Sequence, residues 1–175
     1  AGPGDGGVLR CFTSTRPTDG GRIELNLPTA PNGIYDPDLE FDADAGALWL
    51  AYSGVDGPPG TGLVSTHLAR SLDHGLTWCD FGVLNGASRL SAAELPPGII
   101  ADGGHWNHET PVIAHDPAAA ANERWRLVWH RYLHANLPDG GDGRLFEYGW
   151  FAERTAASPE ALASAPEHKL LSTIA

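Results

Sequence analysis

The sequence predicts an all-β fold of short antiparallel strands, and three observations predict it. Helical periodicity is nearly absent: "SPEALASAPEHKLL", Ser158 to Leu171, is interrupted by Pro166 and reads as one turn leading into a strand. Strand-like runs of alternating or β-branched and aromatic residues recur along the chain, among them "VLRCFTS", "DLEFD", "ALWLAYS", "LVSTHLARS", "WCDFGVL", "TPVIAHD", "WRLVWHRY" and "LFEYGWFAER". Clusters such as "GVDGPPGTG", "DPAAAANE" and "LPDGGDG" separate them, and Gly 22 and Pro 14 supply the turns this needs. The 175 residues suffice for one domain with a sizeable core.

In chain order, residues 1–34 form an N-terminal segment with one probable strand around Cys11. Residues 35–104 and 105–175 then form two similar units. "YDPDLEFDADAGALWLAYS" begins at Tyr35 and "ETPVIAHDPAAAANERWRLVWHR" at Glu109. Pro37 aligns with Pro111, Leu39 with Ile113 and Asp42 with Asp116, all at a spacing of 74, and Tyr52 aligns with Trp129 after a longer turn. Each unit continues through a third strand ("STHLARS", "YGWFAERTAAS") into a short fourth ("WCDFGVL", "KLLSTI"). Four antiparallel strands per unit, repeated, is the pattern of propeller blades. The prediction is an incomplete β-propeller of about two four-stranded blades; the alternative is a β-sandwich.

"SLDHGLTW", Ser71 to Trp78, carries five defining residues: Ser71, Asp73, Gly75, Thr77 and Trp78. Asp73 can accept backbone N–H groups of its own turn, and Gly75 can take positive φ without a Cβ clash. Ser71 and Thr77 can bond across the turn while Trp78 packs inward. The stretch resembles the Asp box of sialidases and related propeller proteins. That resemblance implies a structural hairpin between third and fourth strands, at the blade periphery and away from the ligand site. "SPEALAS" stands in the corresponding place of the second unit.

In a propeller, the starts of the innermost strands face the central funnel. Here they are "NGIYDPD" and "GGHWNHETP". The first resembles the first-blade opening of five-bladed glycoside hydrolases of the arabinanase, xylosidase and invertase kind, where an Asp supplies the base or nucleophile. The resemblance implies that role for Asp36, with an Asx-type turn as the alternative. The second start resembles the second-blade entry of the same enzymes, which implies that Glu109 is a further carboxylate orienting substrate or tuning the acid. Glycoside hydrolysis needs two carboxyl groups across a sugar, about 5–5.5 Å apart for retention or about 6.5–9.5 Å for inversion. Trp106 is a candidate for stacking on a sugar face, and Asn107 and His108 for hydrogen-bonding hydroxyls. Arg131 and Tyr35 are further candidate contacts, with a core role as the alternative for Tyr35 and Trp49. No arginine triad of the sialidase kind is identifiable. His105 and His108 lie three apart, so on a strand they face opposite sides and joint ligation of a metal would need a loop. No metal site or cofactor is expected; Ca²⁺ near the funnel would be more natural than zinc.

The formal charge of −11, with one lysine, argues against a nucleic-acid partner. No run reaches the roughly 20 apolar residues of a membrane span. A glycan or glycoside is the expected partner. The chain begins at Ala1 and contains no Met, which predicts a processed or excised chain and makes a secreted or extracytoplasmic location the expectation. Of Cys11 and Cys79, the first expectation is two free buried thiols; a disulfide in an oxidising compartment is the alternative. Propellers have about 4–8 blades, so the remaining blades are expected from a longer chain or from self-association. The functional expectation is a carbohydrate-directed, glycoside-hydrolase-like propeller portion. Its rival is a non-catalytic Asp-box module for glycan binding or structure.

Overall fold

The computed structural model describes residues 10–13, 30, 32–57 and 62–172. The described residues are all-β apart from two short 3-10 turns, at Ala92–Glu94 and Glu160–Ser164. Ten strands follow in order: β1 (Arg10–Thr13), β2 (Ile34–Asp42), β3 (Ala47–Val55), β4 (Val64–Ser71), β5 (Thr77–Asn85), β6 (Ser88–Ser91), β7 (Gly103–His115), β8 (Trp125–Ala135), β9 (Arg144–Ala156) and β10 (His168–Ser172). They form two antiparallel sheets, ordered β1-β5-β4-β3-β2 and β10-β9-β8-β7-β6. Among the described residues no helix is long and apolar enough to cross a membrane.

Each sheet has five strands where the sequence predicts four. The repeated four, β2 to β5 and β7 to β10, hold the predicted order. β1 adds to the outer edge of the first sheet, and β6 pairs with the first residues of β7. β6 thus joins the second sheet although residue 104 was the expected boundary between units. Its four residues, Ser-Arg-Leu-Ser, are too short and polar to show an alternation.

The sheets pack face to face. Trp49, Ala51 and Leu68 of the first meet Leu127, Trp129 and Ala152 of the second, with Leu162 of the second 3-10 turn closing the cluster. Burial of a large apolar side chain contributes about 1.5–3 kcal/mol, so this layer carries the association of the sheets. Arg154 adds a polar clamp, donating from one nitrogen to the carbonyls of Leu84 in the first sheet and of Leu162 and Ala163 in the second 3-10 turn.

The repeat at a spacing of 74 is also a repeat of irregularity. Pro37 and Pro111 lack the N–H that a ladder requires. The pairing of β2 with β3 shifts between Tyr35 and Asp38, and that of β7 with β8 between Glu109 and Val112, which are equivalent places. Asp36 and Thr110, each just before its proline, take positive φ of 48° and 51°. Asp tolerates this region, whereas a β-branched Thr is strained there. The first sheet holds the strained bulge: Thr110 N–H donates to Ser53 Oγ at 2.9 Å and Ile113 N–H to Asp38 Oδ2 at 2.8 Å.

The Ser71–Trp78 stretch forms the β4–β5 turn. Thr77 N–H donates to Asp73 Oδ1 at 2.7 Å, Ser71 Oγ–H to the same oxygen at 2.8 Å, and Gly75 N–H to Ser71 Oγ at 2.8 Å. Gly75 has φ 83°. The Thr77 amide, and after it the Ser71 hydroxyl, hold the Asp73 carboxyl below the usual carboxylate range. Trp78 is buried with Leu50, Tyr52 and Ala69.

Cys11 and Cys79 are joined in a disulfide, which corrects the expectation of free thiols. They lie opposite each other in the β1–β5 pairing with Cα atoms 3.9 Å apart. A sequence separation of 68 conceals that adjacency. A crosslink enclosing a loop of this length restrains the unfolded chain by about 4 kcal/mol. Cys79→Ser, or reduction of the native chain, is therefore expected to lower the unfolding free energy by about that amount. Urea midpoints with and without reductant check this, and the variant's midpoint should not move on reduction.

Candidate functional site

The bulge in β7 decides which way Glu109 points. Before it, Glu109 lies opposite His130; after it, Ile113 lies opposite Leu127. His130 and Leu127 project from opposite faces of β8, so Asn107 and Glu109 occupy the face opposite to Ile113 and the core. There they meet the start of β2, the entry to β4 and the end of β8.

A cavity of about 480 Å³ opens at this end of the molecule, lined by Tyr35, Glu109, Tyr132, His134 and Arg144 among others. Glu109 Oε2 accepts the Tyr35 hydroxyl at 3.1 Å and the Tyr132 hydroxyl at 3.2 Å. Burial raises the Glu109 carboxyl above its ordinary pKa, and the negative charge of Asp36 adds to this. The two hydroxyls, and more weakly Arg144, oppose it. Burial also raises the Tyr35 hydroxyl, and Glu109 contributes to that shift. Tyr132 is pushed up to about 12, by burial first and then by Glu109. Both tyrosines are therefore neutral donors at ordinary pH, ill suited to ionise as nucleophiles. At the rim, Arg144 grips Asp142, with Nε at 2.8 and 2.9 Å from its carboxylate oxygens. These bonds lower the Asp142 carboxyl to about 2 and raise the guanidinium.

No family model, curated protein or solved structure matches this chain.

The structure gathers some of the sequence-predicted residues and separates others. Tyr35 and Glu109 are bonded to each other, and Asp36 sits exposed beside them. Trp49 belongs to the core. Trp106, His108 and Arg131 do not line the cavity at Glu109. Strand alternation is the reason: residues 106 and 108 project opposite to 107 and 109. The Arg131 guanidinium lies between the rings of Trp106 and Trp150, 5.0 and 4.8 Å from their centroids, and bonds Glu167 at 3.0 Å. The ring expected to stack on a sugar thus stacks on an arginine. His108 accepts the Trp129 indole N–H on Nδ1 at 2.9 Å. Asn107 is fully buried with its amide bonded to protein, so it is no free ligand contact.

Sequence reasoning missed Tyr132, His134, Asp142 and Arg144. The alternation of "WHRYLHA" carries a signal for the first two, because His130, Tyr132 and His134 fall on one face. His134 stacks on His105 with centroids 4.7 Å apart, and His105 Nε2 lies 3.0 Å from the Gly62 carbonyl. Among the described residues no cluster of three His, Cys, Asp or Glu side chains is arranged to hold a metal ion. A second cavity of about 390 Å³ opens at the opposite end, beside Trp49 and Arg70. Two of its carboxylates are engaged in the fold: Asp42 caps its own turn and Glu160 pairs with Arg70.

His108 is held neutral by burial first and then by Arg131 and Arg154, which lowers its pKa to about 3. An unfolded histidine titrates near 6.5, so protons bind the unfolded chain first as pH falls. This stabilising contribution is complete above about pH 6.5 and is lost progressively towards pH 3, by about 1.4 kcal/mol per pH unit. His108→Asn keeps an acceptor for Trp129 without the titration. Denaturant midpoints between pH 7 and 4 should fall less steeply in that variant than in the native chain.

Proposed function

We propose that this chain is a carbohydrate-directed portion of a glycoside-hydrolase-like β-propeller, with Asp36 and Glu109 as its paired carboxyls. The observation that carries the reading is Glu109 itself. It is half-buried and shifted towards the protonated form at a cavity mouth, next to an exposed Asp36 whose charge it feels. Two carboxyls in unlike environments are the requirement for splitting a glycosidic bond. In the proposed reaction Glu109 gives its proton to the departing glycosidic oxygen as the carbon–oxygen bond breaks. Asp36 supplies the ionised carboxylate on the other side, as base towards water or as nucleophile.

The propeller part of the reading is supported by the face of the second sheet turned away from the core. Val112, Val128, His130, Phe151 and Leu171 share that face through their cross-strand pairing. Leu171 is 68% and Val112 53% exposed there. A further sheet from a longer chain or from another copy would cover them as the second sheet covers the first. The disulfide supports a secreted or extracytoplasmic setting.

In the complete protein, Asp36→Asn and Glu109→Gln are each expected to reduce hydrolysis of aryl glycosides by about 100-fold or more, with melting temperatures unchanged. Unaltered hydrolysis in both variants would remove these residues from catalysis. Glycan binding without turnover, preserved in both, would favour the non-catalytic module.

A further inference from the structure

The Asn107 side chain bridges the entry to β4 and the end of β8 with every hydrogen-bonding group engaged. Its Oδ1 accepts the Val64 N–H at 3.0 Å, while Nδ2 donates to the Gly62 carbonyl at 2.7 Å and to the Tyr132 hydroxyl oxygen at 3.1 Å. An amide has two N–H groups and one carbonyl oxygen to offer. Rotating it by half a turn would set oxygen against the Gly62 carbonyl and N–H against the Val64 N–H, so one orientation alone satisfies the site. The Tyr132 oxygen therefore accepts an Asn107 N–H, and its own O–H is left to donate to Glu109 Oε2. Tyr35 supplies a second hydroxyl proton to the same oxygen.

We infer that Asn107 is a positioning residue: acting through Tyr132, and together with Tyr35, it reserves Glu109 Oε2 for two fixed donors and leaves Oε1 as the oxygen that exchanges a proton with the cavity. A proton placed on Oε2 would displace one of the two hydroxyls, whereas one on Oε1 displaces nothing. Oε1 takes no hydrogen bond from the described residues and is not among the buried atoms left unpartnered, so it has access to the cavity. The charged and titratable groups facing the carboxyl are Asp36 and Tyr35 on β2, His130, Tyr132 and His134 on β8, Asp142 just before β9 and Arg144 at its start. None of them is hydrogen-bonded to Oε1. The inference deepens the function proposed above and rests on it for what occupies the cavity; the proton geometry stands apart from any substrate.

The test uses the chain labelled with [δ-¹³C]glutamate and the Glu109 carbon signal, assigned by its loss in Glu109→Gln and followed through pH. Tyr132→Phe and Tyr35→Phe each remove one donor to the carboxylate and should raise the Glu109 titration by about one pH unit, with a larger rise in the double variant. Asn107→Asp puts an acceptor where Nδ2 stood, takes the Tyr132 proton and should raise the titration as well. That increment should shrink when Tyr132 is already Phe. Unchanged titration in both single tyrosine variants would overturn the inference. So would an Asn107→Asp increment of equal size with and without the Tyr132 hydroxyl. If Asn107→Asp does not fold, the tyrosine series decides the assignment of Oε1. These titrations with no glycoside turned over would refute the proposed function and keep the inference; turnover dependent on Glu109 without them would do the reverse.

Discussion

Pro111 has no N–H to give to β8, and the bulge around it turns Glu109 away from the face that carries Ile113. The same break occurs at Pro37, where it separates Tyr35 from the regular part of β2. Because the breaks are equivalent in the repeat, the residues just before them end up close together, and Tyr35 and Glu109 form a hydrogen bond across 74 residues. The strain is local and the restraint is not. Thr110 cannot hold a positive φ on its own account, and it is the first sheet, through Ser53 and Asp38, that fixes the bulge of the second. Sheet packing and site geometry are therefore one problem.

The two faces of the second sheet divide the labour. One holds the core aromatics, the neutral His108 and the Trp106–Arg131–Trp150 stack, in which a cation is buffered by rings and by Glu167. The other carries Glu109, its partner Tyr132 and the His105–His134 stack. Desolvation acts on both, in opposite senses for acid and base: it lowers His108 towards permanent neutrality and raises Glu109 towards protonation. His108, pushed to neutrality with Nδ1 taken by a core indole N–H, is structural. A group pushed the same way with an oxygen left open can exchange a proton.

Much of the architecture was legible. Turn clusters marked the strand ends, and the spacing of 74 marked the repeat, because both follow from residues that act locally: Gly for positive φ, Pro for a missing donor, Asp for capping its own turn. The Ser71–Trp78 turn was legible for the same reason, since Asp73 finds its partners within four residues. β6 was not, because a four-residue edge strand has too little pattern to read. That Trp106 and His108 lie on the other face from Glu109 was not legible either, because nearness in sequence does not reveal on which side of a strand a residue projects.

By itself, the sequence determined the all-β class, the two repeated units and the chemical identity of the carboxyls at Asp36 and Glu109. These depend on side-chain type and on interactions a few residues long. Only the tertiary structure decided that Glu109 would meet Tyr35 and Tyr132, that Arg131 would cover Trp106, and that Cys11 would face Cys79. Each of those outcomes turns on which face a strand presents after a bulge, or on which edge a distant strand joins. Such choices are fixed by the packing of one sheet on the other and leave no periodic trace in the chain.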